Sequence, residues 1–272
     1  MRKPFVISCL LLFVSYWSCG QKAEWHLLFS MQVENLDQIS MDNRDNVFYS
    51  DLEGNVYKID GKGTVSGSYS PSLQAKLEQL EAFSTLTLFL FSADLQQAVL
   101  LDNFLRPLSV HAFQQENIGI VKAATLGNNY VFWLFDETDM SLKKFDYQRN
   151  TVVQKQPLSL VLGDERIEVV EIQERQNMVF LNIKNQGIFI FDNQGNLIKR
   201  LNALFEQPMS FYNDHLYYIK EEAVHQLNIY SGEEIVYNKP EASAQHIIVG
   251  HHKIILYSRH SLQVYGHPEF DF

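Results

Sequence analysis

Met178–Leu201 reads MVFLNIKNQGIFIFDNQGNLIKRL, and the fold is decided here. Met178–Ile183 is nearly continuous in apolar residues, and Asn185-Gln186-Gly187 interrupts it. Gly187–Asp192 is a second apolar run, and after Asn193-Gln194-Gly195 the chain returns through Asn196–Leu201. Runs of this length bounded by turn residues read as strands, and a run with no polar face reads as a strand covered on both sides. Gly and Asn tolerate the positive φ that tight hairpins require. The segment is therefore three successive antiparallel strands.

The same unit recurs along the chain. Asn46–Asp51, Thr85–Phe91, Tyr130–Phe135, His215–Ile219 and Lys253–Ser258 match the first run. Asn55–Asp60, Gln97–Asp102, Ser141–Asp146, Ala223–Ile229 and Ser261–Tyr265 match the second. Four second runs end in an aspartate after an apolar residue, at Asp60, Asp102, Asp146 and Asp192, spaced by 42, 44 and 46 residues; Asn228 and Val264 follow at intervals of 36. A strand–turn–strand unit repeating near 40 residues is the signature of a β-propeller, whose four-stranded blades stack because none can cover its own faces. Six units predict six blades in one domain over residues 25–272. The structural rivals are a β-sandwich and a seven-bladed ring. Thr64–Ser70, Pro107–Phe113, Thr151–Leu158, Asn196–Leu201 and Glu234–Asn238 supply outer strands for the first five blades, while too little chain follows Ser261–Tyr265 to supply a sixth. Trp25–Val33 (WHLLFSMQV) is the expected clasp, completing the last blade from the N-terminus, with Trp25 as its anchor. Pro71–Phe83 carries Leu73, Leu77 and Leu80 at helical spacing and reads as a short helix, or as a loop entering a strand near Leu77. Units such as Asn55-Val56-Tyr57-Lys58-Ile59-Asp60 resemble the broad group of repeat propellers that includes the NHL-like and other non-enzymatic families; the Trp-Asp dipeptide of WD repeats is absent.

The N-terminus carries a different message. Arg2 and Lys3 precede the apolar run Phe5–Trp17, and Ser18-Cys19-Gly20 ends it with small residues. This is the plan of a secretory signal peptide, and the run is shorter than the roughly 20 residues a membrane-spanning helix needs. Ser18-Cys19-Gly20 resembles the bacterial lipoprotein signal, although Tyr16 stands where that family has an aliphatic residue. The resemblance implies a lipid on Cys19, a signal peptide over 1–18, a tether over 19–24 and, with no Asp after Cys19, an outer-membrane address. Ordinary cleavage after Gly20 is the alternative. Cys9 and Cys19 are the only cysteines, so the exported body has no disulfide, thiol nucleophile or thiolate metal site. Loss of Arg2 and Lys3 leaves 20 basic against 32 acidic residues, a net charge of −12. Such a body lacks the clustered cations that nucleic acid requires.

Candidates for chemistry are few. His251-His252 would point to opposite faces of a strand and suits a hairpin turn better than a metal. Asp136-Glu137-Thr138-Asp139 reads as a solvated acidic turn, with cation or sugar binding as the sharper alternative. Asp164-Glu165, Glu168 and Glu171 contain the acids that glycoside chemistry would need, or else form a charged inner strand facing a wet central channel. Trp133 reads as core, and Trp17 leaves with the signal. The expected function is a lipid-anchored, non-enzymatic module that binds envelope proteins, without a metal or cofactor. The alternatives are a glycan-binding module, and a propeller hydrolase or lyase acting on glycans or lactones.

Overall fold

A computed structural model of the chain describes residues 25–83, 86–163, 167–240 and 243–267. The first strand of the chain, β1 (His26–Gln32), belongs to the last blade. Blade 1 is β2 (Leu36–Met41), β3 (Val47–Asp51), β4 (Val56–Ile59) and β5 (Val65–Tyr69). Blade 2 is β6 (Gln79–Glu81), β7 (Thr87–Ser92), β8 (Gln97–Asp102) and β9 (Pro107–Ala112). Blade 3 is β10 (Val121–Leu126), β11 (Val131–Asp136), β12 (Ser141–Asp146) and β13 (Thr151–Pro157). A single helical turn, α1 (Ser159–Leu162), leads towards blade 4. That blade is β14 (Val169–Arg175), β15 (Met178–Ile183), β16 (Gly187–Asp192) and β17 (Leu197–Leu201). Blade 5 is β18 (Ser210–Tyr212), β19 (His215–Lys220), β20 (Ala223–Asn228) and β21 (Glu234–Asn238). Blade 6 is β22 (His246–Val249), β23 (Lys253–Tyr257), β24 (Ser261–Gly266) and, outermost, β1. The chain is a six-bladed β-propeller.

The apolar runs are explained by where alternate side chains go. On β7, Leu88 and Leu90 pack towards blade 1 while Phe89 and Phe91 pack towards blade 3. On β11, Phe132 and Leu134 face blade 2, and Trp133 and Phe135 face blade 4. Successive side chains of a strand point to opposite faces, so a middle strand between two neighbours has no polar side to offer. Six apolar clusters result, one at each blade interface.

Asp60, Asp102, Asp146 and Asp192 recur for a local reason. Each sits at the end of a third strand and accepts backbone N–H groups of the turn that follows. For Asp192, Oδ1 receives Gln194 N at 2.8 Å and Asn196 N at 2.9 Å. Asp60 does the same for Lys62 and Thr64, and Asp102 for Phe104 and Arg106. Short-chain acids favour such turns because their oxygens reach the backbone just ahead.

The clasp closes the ring as expected. β1 pairs antiparallel with β24 from His26–Gly266 to Gln32–Ser261. Trp25, just outside the strand, lies edge-on to Tyr265 at 5.5 Å and its Nε1 donates to Asn238 O at 3.2 Å. The Pro71–Phe83 segment forms no helix. It takes the loop alternative, exposes Leu73, buries Leu77 and Leu80, and becomes strand only at Gln79–Glu81. Pairing with β7 and hydrogen bonding at the ring axis override its helical propensity.

Candidate functional site

The inner strands β2, β6, β10, β14, β18 and β22 line the axis, and several of their buried side chains are polar. Gln79 and Glu81 come from β6, Thr125 from β10, Glu171 and Gln173 from β14, and Ser210 from β18. Some bind the ring together blade to blade. Ala82 N donates to Ser40 Oγ at 2.9 Å and Val249 N to Ser210 Oγ at 2.9 Å.

Two carboxyl groups meet at the centre. Gln79 Nε2 donates to Glu81 Oε1 at 2.9 Å and to Glu171 Oε1 at 3.0 Å. Gln173 Nε2 donates to Glu171 Oε1 at 2.6 Å, and Met209 N to Glu171 Oε2 at 2.5 Å. Leu126 N reaches Glu81 Oε2 at 3.1 Å. Burial outweighs these hydrogen bonds and pushes the Glu81 carboxyl up to about 8 and Glu171 up to about 7. A cavity of about 40 Å³ lies among Gln79, Glu171, Gln173, Arg175 and Phe211, room for a water or two.

Arg175 closes this centre towards one face. Its guanidinium carbon stands 3.4 Å from the Phe83 ring centroid and 5.8 Å from that of Phe211. Its Nε is buried with no hydrogen-bond partner. Burial draws its pKa down to about 10, so it stays charged at neutral pH.

Beyond Arg175 an open groove of about 680 Å³ runs across blades 2, 3 and 4. Phe83, Leu100, Leu108 and Leu126 form apolar walls, and Tyr130, Tyr147, Asn129 and Gln176 complete its lining. The groove lies on the face that carries the turns from first to second and from third to fourth strands. Asn129 and Tyr130 both have positive φ, 59° and 62°, in the β10–β11 turn. A bulky residue is seldom found there, and the conformation leaves Tyr130 57% exposed beside Tyr147 at 5.9 Å. Glu174 also lines the groove, held by Asn128 N at 2.8 Å and Asn177 N at 3.1 Å, with burial raising its pKa.

The opposite face has a second groove of about 570 Å³ between blades 6 and 1, lined by Asp37, His246, Tyr257 and Arg259. Asp37 Oδ2 and His246 Nδ1 are buried there without hydrogen-bond partners. Burial pushes Asp37 up to about 6.

The residues singled out in the sequence scatter. Cys19, Asp164 and Glu165 lie outside the described residues. Glu168 is exposed and pairs with Lys184 at 3.1 Å. Glu171 does reach the axis, but the wet channel expected around it is closed to the small cavity above. The expectation of a solvated acidic turn at Asp136–Asp139 is corrected. Asp136 is fully buried and pairs with Lys143 Nζ at 2.6 Å, which also meets Asp139 at 2.8 Å and Asn117 O at 2.8 Å. The turn is neutralised by a lysine on the next strand, a partner that register supplies. His251 and His252 do form a turn, their N–H groups bound to Asp45 at 2.8 and 2.7 Å. Among the described residues no three acids, histidines or cysteines gather as metal ligands. Trp133 is core. Sequence reading missed Gln79, Glu81, Gln173 and Arg175. The single signal was polar residues alternating within short strands.

The fold and this centre define a six-bladed propeller with a plugged polar axis and an open groove on one face. No known protein-family pattern matches the sequence, and no curated protein matches it. Solved structures do match in fold. The Pan2 WD40 domain of Neurospora crassa is similar with a TM-score of 0.63 at 10% identity, over 92% of this chain and 97% of that one. A chain of the mitotic checkpoint complex is similar with a TM-score of 0.62 at 10% identity, over 99% of this chain and 100% of that one. BamB from Moraxella catarrhalis is similar with a TM-score of 0.54 at 8% identity, over 91% and 99%. At such identities the likeness establishes the propeller alone.

Proposed function

We propose that this chain is a protein-binding module of the bacterial cell envelope, anchored by a lipid on Cys19 and engaging its partner through the groove face of blades 2 and 3. The observation that carries this reading is a gathering of exposed apolar side chains. Leu86 is 74% exposed, Phe104 68% and Leu108 58%, all on blade 2, and Leu108 shares the groove lining with the exposed Tyr130. Clustered exposed apolar residues on a soluble body mark interaction surfaces, and propellers bind through their loop-bearing faces. One of the chains similar in fold is part of a complex, the mitotic checkpoint complex, which supports a binding role.

The axial acids support binding over catalysis. One amide nitrogen holds Glu81 and Glu171 within about 6 Å of each other, near the separation of a retaining glycosidase pair. Yet both are buried, and all four of their oxygens accept hydrogen bonds from Gln79, Gln173 and the backbone. Glycan binding is the second reading, favoured by exposed Tyr130 between Asn129 and Gln176.

The test places a photo-crosslinking amino acid at Tyr130 and, as control, at Leu73 on the opposite face. In detergent-solubilised membranes one discrete adduct is expected from position 130 and none from 73. Equal labelling from both faces, or none, rejects the assigned surface. Cys19→Ala is expected to move the protein to the soluble fraction; continued firm membrane attachment rejects the anchor. Retention of a defined oligosaccharide on a glycan array, with no protein adduct, transfers the groove to the second reading.

A further inference from the structure

Arg175 stands apart from the other well-enclosed cations of the fold. Lys143, which is buried more completely, has two aspartates and a carbonyl. The guanidinium of Arg175 has five N–H donors, and among the described residues no carboxylate or carbonyl forms an ion pair or hydrogen bond with it. Aromatic rings hold it in place instead, Phe83 on one side and Phe211 on the other. A guanidinium kept partly out of water without an acceptor is costly unless something supplies one.

The nearby acids do not serve. Glu81 and Glu171 turn their oxygens to Gln79, Gln173, Leu126 N and Met209 N. Both act on the arginine through space, but burial keeps Glu81 largely neutral and Glu171 only partly ionised near pH 7, while the arginine remains charged. Glu174, the remaining acid lining the groove, is taken up by Asn128 and Asn177. A positive charge with no hydrogen-bonded acceptor and only partial compensation therefore lines the groove.

We propose that Arg175 anchors a peptide groove, whose occupant is an extended protein segment bringing one carboxylate, from an acidic side chain or a free C-terminus, to its guanidinium. This rests on the protein-binding reading and names the partner's chemistry. The walls favour peptide over sugar, because Phe83, Leu100, Leu108 and Leu126 give the groove an apolar side against which side chains can pack. Asn129 and Gln176 are placed to hydrogen-bond a peptide backbone, and Tyr130 gives a flat surface at the rim. Glu174 and the charge of −12 on the exported body repel polyanions, so a single carboxylate fits and a phosphate-rich chain does not.

The experiment uses the full chain in detergent and a random library of fluorescein-labelled octapeptides in matched forms: one Asp or the same position Asn, and a free or an amidated C-terminus. Fluorescence polarisation is expected to show saturable binding of one carboxylate form. Binding weakens about 10- to 100-fold when that carboxylate becomes an amide, the factor expected for a charge-assisted hydrogen bond. The Asp/Asn and acid/amide comparisons tell a side chain from a C-terminus. Arg175→Gln is expected to erase the preference and Arg175→Lys to keep part of it. Leu108→Glu, at an exposed wall position, is expected to give the same loss without touching the core, so the test survives if Arg175→Gln does not fold. Equal binding of acid and amide forms overturns the proposal, as does an unchanged preference in Arg175→Gln or Leu108→Glu. Binding confined to a uronic-acid oligosaccharide control overturns the peptide class. A Tyr130 adduct that persists in Arg175→Gln removes the anchor but leaves the protein-binding reading; loss of both adduct and peptide binding removes both.

Discussion

The rim of this propeller and its axis are built on opposite rules. At the rim, the same device recurs from blade to blade: an aspartate at the end of a third strand holds the turn that follows, as at Asp60, Asp102 and Asp192. The interfaces repeat as well, with side chains of each middle strand shared between two neighbours. At the axis one link recurs, a hydroxyl of one inner strand accepting a backbone N–H of the next blade at Ser40, Thr125 and Ser210, but the charged and amide side chains at the centre do not repeat. β2 contributes Ser40, β6 Gln79 and Glu81, β14 Glu171, Gln173 and Arg175. Repetition serves a task each blade must do alone, covering its faces and closing its turns. The centre is a single place, so the acids, amides and arginine that fill it come from β6 and β14 and have no counterpart in the other blades' inner strands.

The contrast is broken most severely at an interface. Phe132 is fully buried between blades 2 and 3 against Phe89, Phe113, Phe145 and Tyr147. Phe132→Ala is expected to cost about 3–5 kcal/mol, read as a lowered denaturant midpoint with an unchanged slope. A comparable loss, about 3–5 kcal/mol, is expected from Lys143→Met, which strands Asp136 as an uncompensated buried charge. The double variant Lys143→Met, Asp136→Leu should recover most of it. If Lys143→Met alone is neutral, the pair is solvated after all.

The axis is sharpened by pH. Glu81 and Glu171 hold protons in the folded state, with values of about 8 and 7, that the unfolded chain releases near 4.5. Their contribution is complete below about pH 4.5 and is lost as pH rises to about 8, because the folded form must then give up protons from a buried site. Asp37, at about 6, adds the same sign over a lower window. The melting temperature is therefore expected to fall between pH 5 and 8, and Glu81→Gln to flatten that slope. A slope unchanged in Glu81→Gln would mean that the axial carboxyl is ionised throughout. Asp139 acts oppositely: burial raises it, but Lys143, Lys155 and Ser141 outweigh this and bring it to about 2, so its contribution is lost as pH falls from about 4 to 2.

The smallest effect belongs to a single rim turn. Asp192→Ala removes two backbone hydrogen bonds at an exposed hairpin and is expected to cost about 1 kcal/mol. Differential scanning calorimetry should show a small shift with no change in cooperativity. A loss as large as that of Phe132→Ala would show that rim turns hold the ring, not merely each blade.

The spacing of aspartates and the apolar runs determined the six blades, because both report local geometry: a hairpin's turn and a strand with two covered faces. The missing sixth outer strand placed the clasp on Trp25–Val33 by the same reasoning. The inner strands were harder to read. β6 and β18 are three residues each, too short for alternation to stand out, and helical spacing in Pro71–Phe83 masked the first of them. The buried Asp136–Lys143 pair was also hidden, since an acidic turn looks the same in sequence whether water or a neighbouring strand neutralises it. Sequence alone thus set the repeat, the order of strands and the way the ring closes. Only the closed ring brought Gln79 to Glu171 across 92 residues and left the Arg175 Nε without a hydrogen-bond partner. Periodicity records which face a residue takes, whereas what it meets across the axis depends on all six blades at once.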